Sequence, residues 1–86
     1  MSFLIQNEPL LYDLKFTKNE LIVYLKDGRV LYIPLVWYSS LVNATKKELE
    51  NYEILGDGEG IHWKDLDEDL SIKGFLQGIS TNKQVA

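Results

Sequence analysis

The residues best suited to chemistry stand together, from His62 to Asp69. His62 is the single histidine of the chain. Imidazole titrates near neutral pH, so His62 is the natural candidate for general acid or base work, with Asp67 or Glu68 as its carboxylate partner. The surroundings narrow that chemistry. One histidine cannot build a multi-histidine zinc site, and a chain without cysteine has no thiolate ligand, thiol nucleophile or disulfide. Asp65, Asp67 and Asp69 have the alternate spacing of a calcium loop. The glycine of that loop would fall at Leu70 and its bidentate glutamate at Leu76, so the loop is incomplete. Ser39, Ser40, Ser71 and Ser80 lie in no recognisable nucleophile context. Gly56-Asp57-Gly58-Glu59-Gly60 carries two acids and no following Lys-Ser or Lys-Thr, which reads as turn geometry and not as a phosphate cradle. No metal and no cofactor is expected.

The elements that must position these residues begin with strands. Tyr12–Phe16, Leu21–Leu25 and Val30–Ile33 are short alternating or β-branched runs. Asp27-Gly28 is a strong hairpin signal, and Lys18-Asn19 is a weaker turn. With two-residue loops at both, Phe16 pairs with Leu21, Leu14 with Val23, Tyr12 with Leu25, Leu25 with Val30 and Val23 with Tyr32. One face then collects Tyr12, Leu14, Phe16, Leu21, Val23, Leu25, Val30 and Tyr32. The other collects Ile22, Tyr24, Leu31 and Ile33 among charged residues, and offers an apolar patch to a covering element, a partner or a second copy.

Pro34 ends the third strand because it cannot donate to a ladder. A helical turn is expected over 37–42. Thr45-Lys46-Lys47-Glu48 has the form of a capping box opening a helix that runs to about Tyr52, with Leu49 and Tyr52 on one face. Tyr52–Gly56 and Gly60–Trp63 form a second hairpin. The acidic run Lys64–Leu70 is read as the approach to a last helix over 72–77, with Ser71 as N-cap and Gly78 beyond its end. His62 is then a strand residue, and Trp37, Tyr38 and Trp63 belong to the core or its rim.

The fold class that follows is α+β: an antiparallel three-stranded meander, a short second hairpin, and two or three short helices. A length of 86 residues sets the expectation of one domain over 1–86, ordered over about 10–80 with a polar tail. The first eight residues lack the basic and apolar regions of a signal peptide, and no apolar run reaches membrane-spanning length. The cytoplasm is the expected compartment, in keeping with the absence of cysteine. A net charge of −4 argues against nucleic acid and suits a basic protein partner.

Asp27-Gly28-Arg29, Ile33–Tyr38, Asn43-Ala44-Thr45, Ile54-Leu55-Gly56, Gly58–Trp63 and Leu66–Asp69 together carry a family likeness. The chain resembles the bacterial domain-of-unknown-function family 2442, and within it the subgroup with a Gly-Ile-His-Trp and a Leu-Asp-Glu-Asp segment. The resemblance runs from about Leu14 to Gly78. It implies a compact α+β domain, and an arrangement beside another small protein that suggests toxin–antitoxin pairs. Some members carry a helix-turn-helix domain, for which this chain is too short. Ser39-Ser40 stands where Pro-Arg is common, and Lys64 where proline is common. His62, Trp63, Asp67, Glu68 and Asp69 match the family pattern in full.

The function expected is therefore that of a non-enzymatic, acidic interaction module, antitoxin-like, with a protein partner or self-association. The candidate interaction surface is His62, Trp63, Asp67, Glu68, Asp69, Ile22 and Tyr24. The alternative is a small enzyme or ligand-binding protein using His62 with Asp67 or Glu68.

Overall fold

The hairpin signals act where they stand. In the computed structural model, which describes residues 9–77, β1 (Leu11–Phe16), β2 (Glu20–Leu25) and β3 (Val30–Pro34) form an antiparallel sheet in the order β1-β2-β3. The Lys18-Asn19 turn closes as a two-residue loop, with Thr17 N–H donating to the Glu20 carbonyl at 2.8 Å. Phe16 meets Leu21 and Leu14 meets Val23, as the alternation requires.

Two registers differ from the expectation. A bulge in β1 places Leu11, not Tyr12, opposite Leu25. The extra residue lets Leu11 reach the core and turns Tyr12 out to solvent. At the second turn the loop holds three residues, 26–28, and not two. Leu25 N–H donates to the Arg29 carbonyl at 2.9 Å, and Gly28 N–H to the Leu25 carbonyl at 3.0 Å. Gly28 has φ +99°, the left-handed residue of a type I turn closed by a bulge. The register slips by one, so Val23 meets Leu31 and Leu21 meets Ile33. Leu31 and Ile33 therefore face inward, while Val30 and Tyr32 face outward.

A 3-10 turn (Leu35–Trp37), α1 (Ser39–Val42) and α2 (Lys46–Glu50) follow. The capping box forms as its residues require: Glu48 N–H donates to Thr45 Oγ1 at 3.1 Å, and Thr45 N–H to Glu48 Oε1 at 2.9 Å. The helix ends at Glu50, and Tyr52 begins a strand instead of closing the helix.

A second antiparallel sheet comprises β4 (Tyr52–Leu55), β5 (Gly60–Trp63) and β6 (Glu68–Ser71) in that order. The strand β6 replaces the expected helical approach. The acidic run forms a turn and then pairs with β5 from Trp63–Glu68 to Gly60–Ser71. Ser71 nonetheless caps α3 (Ile72–Gln77), accepting from Gly74 N–H at 2.9 Å. Gly78, the polar tail and the N-terminal eight residues lie outside the described residues.

One core joins both sheets and the helices. Leu14, Leu21, Val23 and Ile33 of the first sheet pack in a cluster with Leu41 and Leu49 from the helices, and with Ile61, Trp63 and Ile72. The sheets are also tied by main chain. Leu11 N–H donates to the Gly58 carbonyl at 2.8 Å, and Lys26 Nζ to the Asp57 carbonyl at 3.0 Å. The close approach needs glycine at position 58. Its φ is +114°, and a Cβ there would lie 2.2 Å from the Leu11 carbonyl oxygen.

Candidate functional site

The strand ladder separates the residues grouped around His62. Directly paired residues share a face, and faces alternate along a strand. Glu53 pairs with His62, and His62 with Asp69, so these three form a row across the outer face of the second sheet. His62 Nδ1 meets Asp69 Oδ1. Trp63 pairs with Glu68 on the opposite, core-side face. The expected partnership of His62 with Glu68 does not form, because a one-residue offset in a strand sends side chains to opposite sides.

The other acids are also engaged within the fold. Asp65 Oδ2 accepts from Asn51 Nδ2 at 2.9 Å, which ties the β5–β6 turn to the end of α2. Asp67 sits in that turn with φ +53°, a conformation aspartate tolerates better than most residues. Glu68 Oε1 accepts from Ser40 Oγ at 2.6 Å. Burial pushes the Tyr38 hydroxyl up from its ordinary pKa, and the negative charge of Glu68 adds to the rise. Tyr38 also packs edge-on against Phe75, with ring centroids 6.1 Å apart.

Trp63 is a core residue. It is 0% exposed, and its Nε1 donates to the Leu49 carbonyl at 3.0 Å. It therefore holds the second sheet against α2 and cannot offer a surface. The His62–Asp69 pair lies outside the groove lined by residues 14–18 and by Leu41, Leu49 and Tyr52. Among the described residues, no three histidine, aspartate or glutamate side chains gather to hold a metal ion.

Ile22 and Tyr24 lie on the outer face of the first sheet, as expected, but with different neighbours. The corrected register puts Tyr32 beside Ile22 and Val30 beside Tyr24. Tyr12, turned outward by the bulge, stands 6.2 Å from the Tyr24 ring, and Lys15 Nζ lies 5.6 Å from the same ring centroid. Tyr12 is 61% exposed and Tyr32 59%. Ile22 is 9% exposed and forms the floor between them. Unbroken alternation in β1 puts Tyr12 on the core face, and a two-residue turn at Asp27-Gly28 puts Val30 and Tyr32 there; the bulge and the longer turn send all three outward. A three-residue reading of Lys26-Asp27-Gly28 is the signal that places Val30 and Tyr32 outward.

Comparison with known proteins fits this architecture. No curated protein matches the chain. A protein of unknown function from Rhodospirillum rubrum, known from a crystal structure, is 36% identical with a TM-score of 0.75, over 85% of this chain and 90% of that one. An uncharacterized protein from Chromobacterium violaceum, known from solution NMR, shares the fold with a TM-score of 0.72 at 24% identity, over 88% of this chain and 72% of that one. The model of the family described as Protein of unknown function (DUF2442) matches residues 12–81, and the chain belongs to that family.

Proposed function

We propose that this chain is a non-enzymatic protein-interaction module that meets its partner through the outer face of the first sheet. The exposure of Tyr12, Tyr32 and Val30 on one sheet face carries this proposal. A solvated sheet face is ordinarily polar, and tyrosine is enriched where proteins bind one another, because it supplies large contact area and a polar tip. Ile22 and Tyr24 contribute the centre of the patch. Among the acidic residues 65–69, Asp65, Glu68 and Asp69 are bonded to Asn51, Ser40 and His62, so the reading rests on the first sheet and not on them.

The net charge of −4 suits a basic partner. The finer form of the proposal is an antitoxin-like role in the cytoplasm, opposite a small basic protein encoded nearby. A second copy of this chain is the competing occupant.

The test is the solution mass by light scattering, alone and mixed with the product of the adjacent gene. A complex is expected, and the double variant Tyr12→Ser/Tyr32→Ser should abolish it while leaving the circular dichroism unchanged. A dimer of the chain alone, lost in the same variant, would keep the face and replace the partner. A monomer under both conditions would sink the proposal.

A further inference from the structure

A second open surface lies along β1. It is a groove of about 780 Å³, inside the roughly 300–1,000 Å³ of ligand-binding clefts. Leu35, Leu41 and Leu49 form its floor, together with Tyr52, whose ring packs edge-on against that of Phe16 with centroids 6.4 Å apart. Its near wall is five consecutive residues, Leu14 to Lys18. A cleft over one face of a strand touches alternate residues, because successive side chains point to opposite faces. A cleft that touches Leu14, Lys15 and Phe16 in succession, and then Thr17 and Lys18 of the turn, runs along the edge of the strand.

The ladder shows which main-chain groups meet that groove. β1 is the outermost strand of its sheet. The Thr17–Glu20 hydrogen bond makes that pair a bonded one. Phe16–Leu21 and Leu14–Val23 are then the non-bonded pairs, whose N–H and C=O groups point away from β2. Asp13 Oδ1 takes up the Leu14 N–H at 2.9 Å. The Phe16 N–H and C=O and the Leu14 C=O have no strand beside them among the described residues. Further along, the same edge is closed where Leu11 N–H meets Gly58. The opening is confined to the stretch that lines the groove.

Charge selects the occupant. Lys18 and Lys46 stand beside the groove, in a chain whose net charge is −4, while Lys15, which also lines it, carries its Nζ over the Tyr24 ring. The one acid among its lining residues, Glu50, lies 4.0 Å from Lys46. Lysines on an edge discourage pairing between identical copies, and they favour a strand that brings carboxylates. We propose that an extended peptide segment of alternating acidic and apolar residues adds to β1 as a fourth strand of the first sheet. Its main chain bonds Phe16 and Leu14, its apolar side chains cover the leucine floor, and its carboxylates lie beside Lys18 and Lys46. The groove is a different surface from the tyrosine face, and the two proposals stand or fall separately.

Fluorescence anisotropy with a labelled heptapeptide alternating glutamate and valine tests this. Saturable binding is expected, with amide shifts by NMR at 14–17 and at Leu49. A peptide N-methylated at the amides that face β1 should bind about tenfold more weakly, the consequence of two lost main-chain hydrogen bonds. The variant Lys18→Glu/Lys46→Glu, exposed at both positions, should weaken binding by about the same factor with the rest of the amide spectrum unchanged. Equal affinity for the N-methylated peptide or for a lysine–valine peptide would overturn strand addition. Displacement of the peptide by decanoate at equal concentration would assign the groove to a small amphiphile instead. Absence of binding by every peptide would also overturn it.

Discussion

The sheet β1–β2–β3 and the sheet β4–β5–β6 share an antiparallel order and a common core, yet their outer faces carry different chemistry. On the second sheet, Glu53, His62 and Asp69 line up across three strands, and His62 and Asp69 answer each other. On the first, Tyr12, Val30 and Tyr32 stand in solvent around Ile22. The second sheet uses its polar groups to fix its own turn and docking. The first leaves apolar surface over. The contrast teaches that acids clustered in sequence can be bonded within the fold, as Asp65, Glu68 and Asp69 are, while strand sequence of ordinary appearance leaves an apolar face in solvent.

The largest expected effect separates the inner face from the outer. Trp63→Ala removes a fully buried indole and its bond to Leu49, and should cost about 3–5 kcal/mol in denaturant unfolding. Tyr32→Ala, on the outer face of the first sheet, should stay within about 0.5 kcal/mol. Comparable losses at both positions would break the distinction between the faces.

The hairpin turns sharpen the comparison next. Gly58→Ala should cost about 2–3 kcal/mol, because the backbone has φ +114° and the new Cβ meets the Leu11 carbonyl oxygen. Gly28→Ala places a residue at φ +99° with nothing within 4 Å of its Cβ, and should cost about 1 kcal/mol. Equal unfolding midpoints for the two variants would show that contact between the sheets adds nothing to the backbone cost.

A smaller effect is expected within the outer row of the second sheet. A double-mutant cycle of His62→Ala and Asp69→Ala should give a coupling of about 0.2–1 kcal/mol, the range of exposed and cross-strand pairs. A larger coupling would move attention back to His62 as a site.

The smallest effect concerns the turn of the first sheet. Asp27 accepts from Arg29 Nε at 2.9 Å and from Arg29 N–H at 3.0 Å, and these bonds hold its carboxyl below the usual aspartate value. A lowered folded pKa means stability that is present above the unfolded value and lost as pH falls through the folded one. Asp27→Asn should therefore flatten the acid limb of the stability curve slightly and leave its shape near neutral pH unchanged. A steeper acid limb in the variant would contradict that sign.

Much of this was legible in the sequence where the signal is local. The Lys18-Asn19 turn set the β1–β2 register from Phe16 to Leu14, and Thr45 with Glu48 marked the start of α2. The β3 register was not legible from alternation alone. Val30 and Tyr32 are as apolar as Leu31 and Ile33, so either register offered an apolar face. The run 64–70 was legible as acidic but not as a strand. Its acids resemble a helix approach, and only the open edge of β5 makes pairing the better use of Leu70.

The sequence by itself determined the α+β class, the Lys18-Asn19 turn, the capping box, the Ser71 cap and the family resemblance, because each depends on residues a few positions apart. Tertiary structure decided the bulge at Tyr12, the inward choice of Leu31 and Ile33, the burial of Trp63 and the division of His62 from Glu68. Those outcomes depend on which side of a strand the shared core occupies. A shift of one residue, too small to alter the local pattern, exchanges the two sides.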